Sequence, residues 1–216
     1  AGGAIGATIA DQQGDPSAAS TAPSQTPVAT AVPPVDGDAA EPAAAVAGAL
    51  GPAVVQIETG TGLGSGFVYD ASGLVLTAHH VIDGSDQVQV RLADGTRLTG
   101  VVLGSDPSTD VAVVQIDPPA DLAIATLATG VPIEVGQLAI AIGSPFGLDQ
   151  TVTSGIVSAV GRSSQTPEGV IPAIQTDTPI NSGNSGGALA DRQGRIIGIN
   201  DSIITGGGDS TGNVGV

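Results

Sequence analysis

Residues 180–189 read INSGNSGGAL and place Ser185 among glycines and other small, turn-forming residues. Glycine lets a backbone adopt turns that other residues avoid, and it lets the chain approach a ligand closely. The stretch is therefore either a surface turn, because Gly, Asn and Ser dominate turns, or a loop whose N–H groups face a developing oxyanion beside a nucleophilic hydroxyl. The rest of the chain has to decide between these two interpretations.

The chain after Pro52 is a series of short apolar runs separated by turn residues, among them AVVQIE, GLVLTAHHVI, QVQVRL, DVAVVQI and QLAIAIG. Asp94-Gly95, between two such runs, predicts a hairpin, and residues 192–194 (RQG) predict another tight connection. Many short strands at this spacing favour an all-β barrel or sandwich over alternating βαβ units.

The composition narrows the class of protein. Hydrophobic residues make up 41% of the 216 residues and aromatic residues only 1%, so the core is expected to consist of aliphatic side chains and alanine. The net charge is −16 and the basic residues number five, all of them arginine, which argues against a nucleic-acid partner. The chain has no cysteine, which excludes disulfides and thiolate chemistry.

The first fifty residues differ from the rest of the chain. Residues 1–10, AGGAIGATIA, are apolar but too short to span a bilayer, so they are either the end of a membrane anchor or signal segment, or a flexible end. Residues 11–40 are rich in Ala, Pro, Ser and Thr, and this composition predicts a disordered linker. Residues 41–51, EPAAAVAGALG, predict a short helix with proline near its start and glycine at its end.

A serine hydroxyl becomes a nucleophile only when a base takes its proton and a third group orients that base. The two histidines, His79 and His80, are adjacent in LTAHHVID, and Asp110 directly precedes an apolar run thirty residues later. A single histidine is more often structural than catalytic, and an acid at the start of a strand is ordinary by itself. No metal site is predicted, because adjacent histidines on extended backbone point apart and no HExxH spacing exists.

GNSGG also fits G-x-S-x-G, the nucleophile elbow of α/β-hydrolases. In that fold the histidine follows the serine, and the chain has no histidine after Ser185. The segment ALADRQGRIIGIN also lacks the pattern of the helix that follows an elbow. The order His, Asp, Ser is instead the order of chymotrypsin.

From about Glu41 to Val216 the chain resembles the HtrA/Deg (DegP-like) family of trypsin-fold serine proteases. Four motifs carry this resemblance in the expected order: GSGFVYDASGLVLTAHHVI, GSDPSTDVAVVQID, AIGSPFGLDQTVTSGIVSAVGR and IQTDTPINSGNSGGALADRQGRIIGIN. The resemblance implies an all-β fold of two six-stranded antiparallel β-barrels, the first at about 52–120 and the second at about 131–216. Family members continue past the equivalent of GNVGV, so the last strand of the second barrel is expected to be truncated.

The resemblance also implies the roles of particular residues. His80 would be the general base, Asp110 its orienting acid and Ser185 the nucleophile. The N–H groups of Gly183 and Ser185, with Asn184 between them, would form the oxyanion hole.

The segment IGINDSI resembles the family strand that pairs with extended substrate, and it contains Asn200 and Ile203. With Ile180, Ile203 would wall a narrow apolar S1 pocket. Both isoleucines fit simple core packing equally well. The substrate-binding residues implied by the resemblance are thus Ile180, Asn200 and Ile203.

The function implied by the resemblance is a serine endopeptidase, without a cofactor, that cuts misfolded or damaged proteins in the bacterial cell envelope. The family also suggests a homotrimer, a membrane anchor upstream of Ala1 and a PDZ domain downstream of Val216. The alternative is a chaperone-like or peptide-binding module on the same fold that hydrolyses little. Reaction with an active-site-directed fluorophosphonate would separate the two, since a binding module should not react.

Overall fold

The structure, a computed structural model, describes residues 29–82, 84–144, 150–166, 169–181, 183–203 and 213–215. Its first long element is the helix α1 (Pro42–Leu50), which continues into a 3₁₀ turn at Gly51–Ala53. Proline occupies the start of α1, where its missing N–H costs no hydrogen bond. The buried side chains of Val46 and Leu50 attach the helix to the core. The helix predicted from the sequence is therefore confirmed.

Six antiparallel strands form the first barrel: β2 (Val54–Glu58), β3 (Leu63–Asp70), β4 (Leu74–Ala78), β5 (Gln87–Arg91), β6 (Arg97–Asp106) and β7 (Val111–Gln115). They pair in the order β2-β3-β4-β7-β6-β5 and close on themselves, which leaves no unpaired edge. The predicted hairpin connects β5 to β6, with Gly95 at a φ of 90°. A single turn of helix, α2 (His79–Ile82), follows β4.

The second barrel contains β10 (Leu138–Gly143), β11 (Thr151–Thr166), β12 (Gly169–Thr176), β13 (Ala188–Ala190), β14 (Arg195–Ile203) and β15 (Asn213–Gly215). β13 pairs with both β10 and β14, and β15 pairs with both β12 and β14. Together with the β10–β11 and β11–β12 pairs, these contacts form a ring of six strands. The prediction of two six-stranded barrels agrees with this arrangement.

The strand β15 is only three residues long. The sequence analysis placed the last strand of the second barrel beyond the GNVGV segment. In the structure this segment itself supplies a strand between β12 and β14. The segment could not be recognised beforehand because three residues are too few to show an alternating pattern.

Residues 29–40, which composition assigned to a linker, lie against the folded domain. β1 (Thr30–Ala31) pairs in parallel with β8 (Ala123–Ile124). Along the chain, β8 and the following β9 (Thr126–Leu127) lie between the strands of the two barrels. Further along, the Val35 N–H donates to the Gln193 carbonyl at 3.1 Å. These contacts use backbone groups, which any composition provides, so composition could not reveal them.

The rest of that linker and the apolar segment 1–10 lie outside the described residues. Within the part of the chain that the structure describes, no helix has the length and hydropathy needed to cross a membrane.

Candidate active site

Asp110 holds His80 by two hydrogen bonds at the rim of the first barrel. One Asp110 carboxyl oxygen, Oδ2, lies 2.7 Å from His80 Nδ1, and the other, Oδ1, accepts the His80 backbone N–H at 2.9 Å. The Asp110 carbonyl accepts the His79 N–H at 2.9 Å. Asp110 has a φ of 53°, a left-handed conformation that is uncommon for residues other than glycine and that clusters at functional sites.

The carboxyl group of Asp110 is almost fully buried, with 9% of its side chain exposed. Burial by itself raises the pKa of Asp110. The hydrogen bonds from the ring and backbone of His80, the charge of His80 and a hydrogen bond with Asp201 outweigh burial, so the pKa lies below its ordinary value. Asp110 is therefore ionised at neutral pH and can stabilise an imidazolium.

The two histidines point to different partners. His79 Nδ1 lies 3.0 Å from the Ser105 hydroxyl on β6, whereas His80 bonds Asp110. The sequence analysis assumed extended backbone here, and this assumption is wrong, because both residues belong to α2. The side chains still diverge, since successive residues of a helix are turned by about 100° around its axis.

Ser185 belongs to a tight loop, residues 183–187, which we call the serine loop. Gly183 and Gly186 have φ values of 103° and 79°, which favour glycine. A Cβ atom on Gly186 would lie 2.4 Å from both the Ser65 carbonyl oxygen and Thr77 Oγ1. The glycines at these positions therefore serve backbone geometry and close approach, as the sequence suggested.

Ser65 on β3 connects the first barrel to the serine loop by hydrogen bonds. The Ser65 N–H donates to the Ser185 carbonyl at 2.8 Å, and the Ser65 hydroxyl donates to the Gly183 carbonyl at 2.5 Å. The same hydroxyl accepts the Ser144 N–H at 2.8 Å, and the residue is fully buried. Sequence reasoning missed Ser65, although a polar residue between glycines in an otherwise apolar strand was a signal for it.

His80 and Ser185 line one cleft of about 350 Å³. The His80 side chain is 46% exposed there, while its partner Asp110 lies buried behind it. The other lining residues of the cleft are Thr59, Thr61, Gly62, Leu63, Val81 and Gly183. The structure thus brings a hydroxyl, an imidazole and a buried carboxylate together, which is what nucleophilic acyl transfer requires.

The predicted oxyanion hole divides into two kinds of group. The Asn184 N–H donates to the Asn181 carbonyl at 3.1 Å, so it is already engaged inside the protein. The N–H groups of Gly183 and Ser185 donate to no backbone carbonyl of the described residues. Among the acceptors that the structure describes, none engages these two N–H groups, which is consistent with the role predicted for them.

Of the three residues assigned to substrate binding, Ile180 and Asn200 are buried. Ile180 is 2% exposed and packs in the core of the second barrel with residues such as Val157 and Leu189. Asn200 is fully buried, and its amide donates to the carbonyls of Ile142 and Ala188. Both side chains are thus packed inside the protein, which favours the core interpretation over a pocket wall. The side chain of Ile203 lies outside the described residues.

Asp201 is a second buried carboxyl group at this site, and the sequence analysis did not single it out. Its Oδ1 lies 3.8 Å from His80 Nδ1, and its side chain is 6% exposed. Ligand atoms of His80, Asp110 and Asp201 lie within 4.8 Å of one another, a spacing that a metal ion could bridge. His80 Nδ1 is already engaged by Asp110, so the arrangement serves hydrogen bonding within the protein.

The comparison with protein families agrees with the fold and the geometry. Residues 64–199, more than half of the chain, match the family described as the trypsin-like peptidase domain. The matched range contains His80, Asp110 and Ser185. The chain therefore belongs to the family of trypsin-like peptidases.

Within this family the chain is similar to bacterial HtrA/Deg proteins, which confirms the resemblance seen in the sequence. It is 48% identical over 152 residues to the periplasmic pH-dependent serine endoprotease DegQ of Escherichia coli (strain K12), covering 70% of this chain and 33% of that protein. It is 47% identical over 155 residues to the putative serine protease HhoA of Synechocystis sp. (strain ATCC 27184 / PCC 6803 / Kazusa), covering 70% and 39%.

A solved structure of the HtrA-type protease AlgW with a tripeptide is 42% identical, with a TM-score of 0.73. The match covers 81% of this chain and 59% of that one. The chain thus spans about a third of the length of the curated relatives it matches, since it covers 33% of DegQ.

Proposed function

We propose that this chain is the peptidase domain of a serine endopeptidase that cuts misfolded or damaged proteins in the bacterial envelope. The observation that carries the proposal is the 2.7 Å contact between His80 Nδ1 and the buried Asp110 carboxylate, in a cleft that Ser185 shares. The endopeptidase names of the relatives support the reaction, and their periplasmic names support the location. The homotrimer, the anchor and the PDZ domain stay predictions.

The positions of the groups support the following reaction. Asp110 accepts the Nδ1–H of His80, which leaves Nε2 as the unprotonated base. Nε2 takes the hydroxyl proton of Ser185 as Oγ attacks the scissile carbonyl. The imidazolium then returns this proton to the leaving amine, and water hydrolyses the acyl-enzyme by the same route in reverse.

The oxyanion of the tetrahedral intermediate would be bound by the N–H groups of Gly183 and Ser185. A lost donor of this kind typically costs about 3 kcal/mol of transition-state stabilisation. The Ser65 hydroxyl, which bonds the Gly183 carbonyl, keeps the loop in the conformation that exposes these N–H groups. In this way the first barrel contributes to both halves of the site.

The proposal is tested with the variants Ser185→Ala, His80→Ala and His79→Ala, assayed for casein hydrolysis and for labelling by a fluorophosphonate. Ser185→Ala and His80→Ala should each lower kcat by up to about a million-fold, because the members of a triad act as a unit. His79→Ala is the matched control, since its ring faces Ser105, and it should change kcat by less than about tenfold.

Activity of Ser185→Ala within tenfold of the parent chain would overturn the assignment of the nucleophile. A parent chain that binds unfolded casein but neither cleaves it nor reacts with the label would instead support the chaperone-like alternative. Addition of EDTA gives a further check. The proposed reaction uses only side chains and backbone, so chelation should leave the rate unchanged.

A further inference from the structure

Asp201 lies beside the candidate catalytic pair in a position that the mechanism above does not use. The register between β14 and β15 shifts between Asn200 and Ser202, so Asp201 lies in a β-bulge. Bulges redirect a side chain and are frequent next to active sites. Here the redirected carboxyl group is buried, with its Oδ1 3.8 Å from His80 Nδ1.

Ligand atoms of Asp201 and Asp110 lie within 4.8 Å of one another, and both side chains are buried. A hydrogen bond with Asp201 is also among the causes that lower the pKa of Asp110. Ionised carboxylates only accept hydrogen bonds, so one of the two groups must carry a proton. Two buried carboxylates in contact also do not both ionise, because their charges repel in a medium of low dielectric constant.

The other contacts decide which group keeps the proton. Asp110 Oδ1 accepts the His80 backbone N–H and Oδ2 accepts the ring Nδ1–H, so two donors already stabilise its negative charge. His80 Nδ1 carries one hydrogen, and at 3.8 Å it is beyond hydrogen-bonding distance of Asp201. The two donors on Asp110 therefore favour the negative charge on that group, which places the shared proton on Asp201.

We propose that Asp201 is protonated at neutral pH and acts as a positioning residue that donates its O–H to the Asp110 carboxylate. This role rests on the proposed function, since it matters only if Asp110 orients His80. The donated bond restrains the carboxylate without adding a second negative charge beside the imidazole. An ionised Asp201 would stabilise the imidazolium, so His80 would stay protonated up to a higher pH than it does beside a neutral Asp201. A protonated His80 cannot act as the base.

The titratable groups that face Asp201 come from two elements, Asp110 from the turn before β7 and His80 from α2. The strands β9, β13 and β15 pair with β14, and β4 packs against it. Their sequences, TL, ALA, NVG and LVLTA, contain no titratable side chain. Among the residues that the structure describes, the pH behaviour of the site thus depends on these three groups.

Two substitutions separate the functions of the Asp201 side chain. Asp201→Asn keeps a hydrogen-bond donor of the same shape but cannot ionise, whereas Asp201→Leu has a similar volume and no donor. Each variant of the 216-residue chain is assayed on a peptide substrate, with kcat and KM measured from about pH 4 to pH 9. In parallel, the ¹⁵N resonances of His80 are titrated, with a His79→Gln variant used to assign them.

Asp201→Asn should keep kcat/KM within about threefold of the parent and leave the midpoint of the acid limb unchanged within about 0.3 pH unit, because it replaces one neutral donor by another. Asp201→Leu should lower kcat by about tenfold to a hundredfold with little change in KM, because Asp110 loses a restraint that acts on the base. Thermal melts show whether Asp201→Leu folds. If Asp201→Leu does not fold, the pH profile of Asp201→Asn still tests the proposal.

A fall of about one pH unit or more in the acid-limb midpoint of Asp201→Asn would overturn the proposal, because it would mean that Asp201 is an ionised counter-ion in the parent. Full activity of a folded Asp201→Leu would overturn it too. The ¹⁵N titration of His80 reports the charge on Asp201 without turnover. Failure of this inference is therefore distinct from failure of the proposed function, which the Ser185→Ala variant reports.

Discussion

Gly186 is the position where a single methyl group should disturb the fold and the site together. Its φ of 79° is unfavourable for any residue with a side chain. An added Cβ would lie 2.4 Å from the Ser65 carbonyl oxygen and 2.4 Å from Thr77 Oγ1. The first contact is with backbone, which cannot turn aside, so Gly186→Ala has to push the serine loop away from β3.

The size of the effect follows from these two causes. A left-handed conformation costs about 1–2 kcal/mol for a residue with a Cβ. Forcing an extra carbon into a packed interior typically adds about 1–3 kcal/mol. We expect Gly186→Ala to lower the free energy of unfolding by about 3 kcal/mol, which corresponds to about 6–12 °C in Tm for a domain of this size.

Gly130→Ala is the matched control. Gly130 also has a positive φ, 73°, but a Cβ there would meet no atom of the described chain within 4 Å. It should therefore cost the conformational strain alone, about 1 kcal/mol or 2–4 °C in Tm.

Thermal and urea unfolding compare the loss of stability in the two variants. The kcat should fall about a hundredfold in Gly186→Ala only, because Ser185 is displaced from its base. Equal losses of stability in the two variants would refute the argument from close approach.

Two further predictions concern the groups that hold the site. Ser65→Ala should lower the free energy of unfolding by about 2–3 kcal/mol, because the Gly183 carbonyl and the Ser144 N–H lose a buried partner. A loss below about 0.5 kcal/mol, measured by urea unfolding, would contradict this prediction. Since the pKa of Asp110 is lowered in the folded state, its contribution to stability is complete above the unfolded value of about 3.9 and is lost as the pH falls through the lower folded value. Unfolding of Asp110→Asn between about pH 2 and pH 6 should therefore depend less on pH than that of the parent, and equal slopes would show that Asp110 is not stabilised by His80.

Much of the fold could be predicted from local patterns. Asp94-Gly95 marks a hairpin because glycine supplies the positive φ that the turn needs, and the structure has that hairpin. Proline at the start of α1 and glycine at its end mark the helix for similar reasons. The residues of the candidate triad could also be proposed in advance, because the order His, Asp, Ser and the four motifs resemble those of a known protease family.

The supports of the site could not be predicted in this way. Ser65 bonds the Gly183 carbonyl from 118 positions away in the chain. Asp201 and Asp110 come from different barrels, and ligand atoms of the two lie within 4.8 Å of one another. The left-handed conformation of Asp110 belongs to a residue type that seldom adopts it. Each of these depends on which strands meet.

The sequence by itself therefore determined the class of fold and the position of the turns, because turn chemistry and alternating hydrophobicity act between near neighbours. The nucleophile, base and acid were predicted from the family resemblance and stay a prediction. The tertiary structure alone decided that β15 joins β12 to β14, that residues 29–40 lie against the domain, and that Ile180 and Asn200 are buried. These contacts use backbone hydrogen bonds and packing between distant segments. Such contacts have no local signature, since any residue except proline offers the same backbone donor and acceptor.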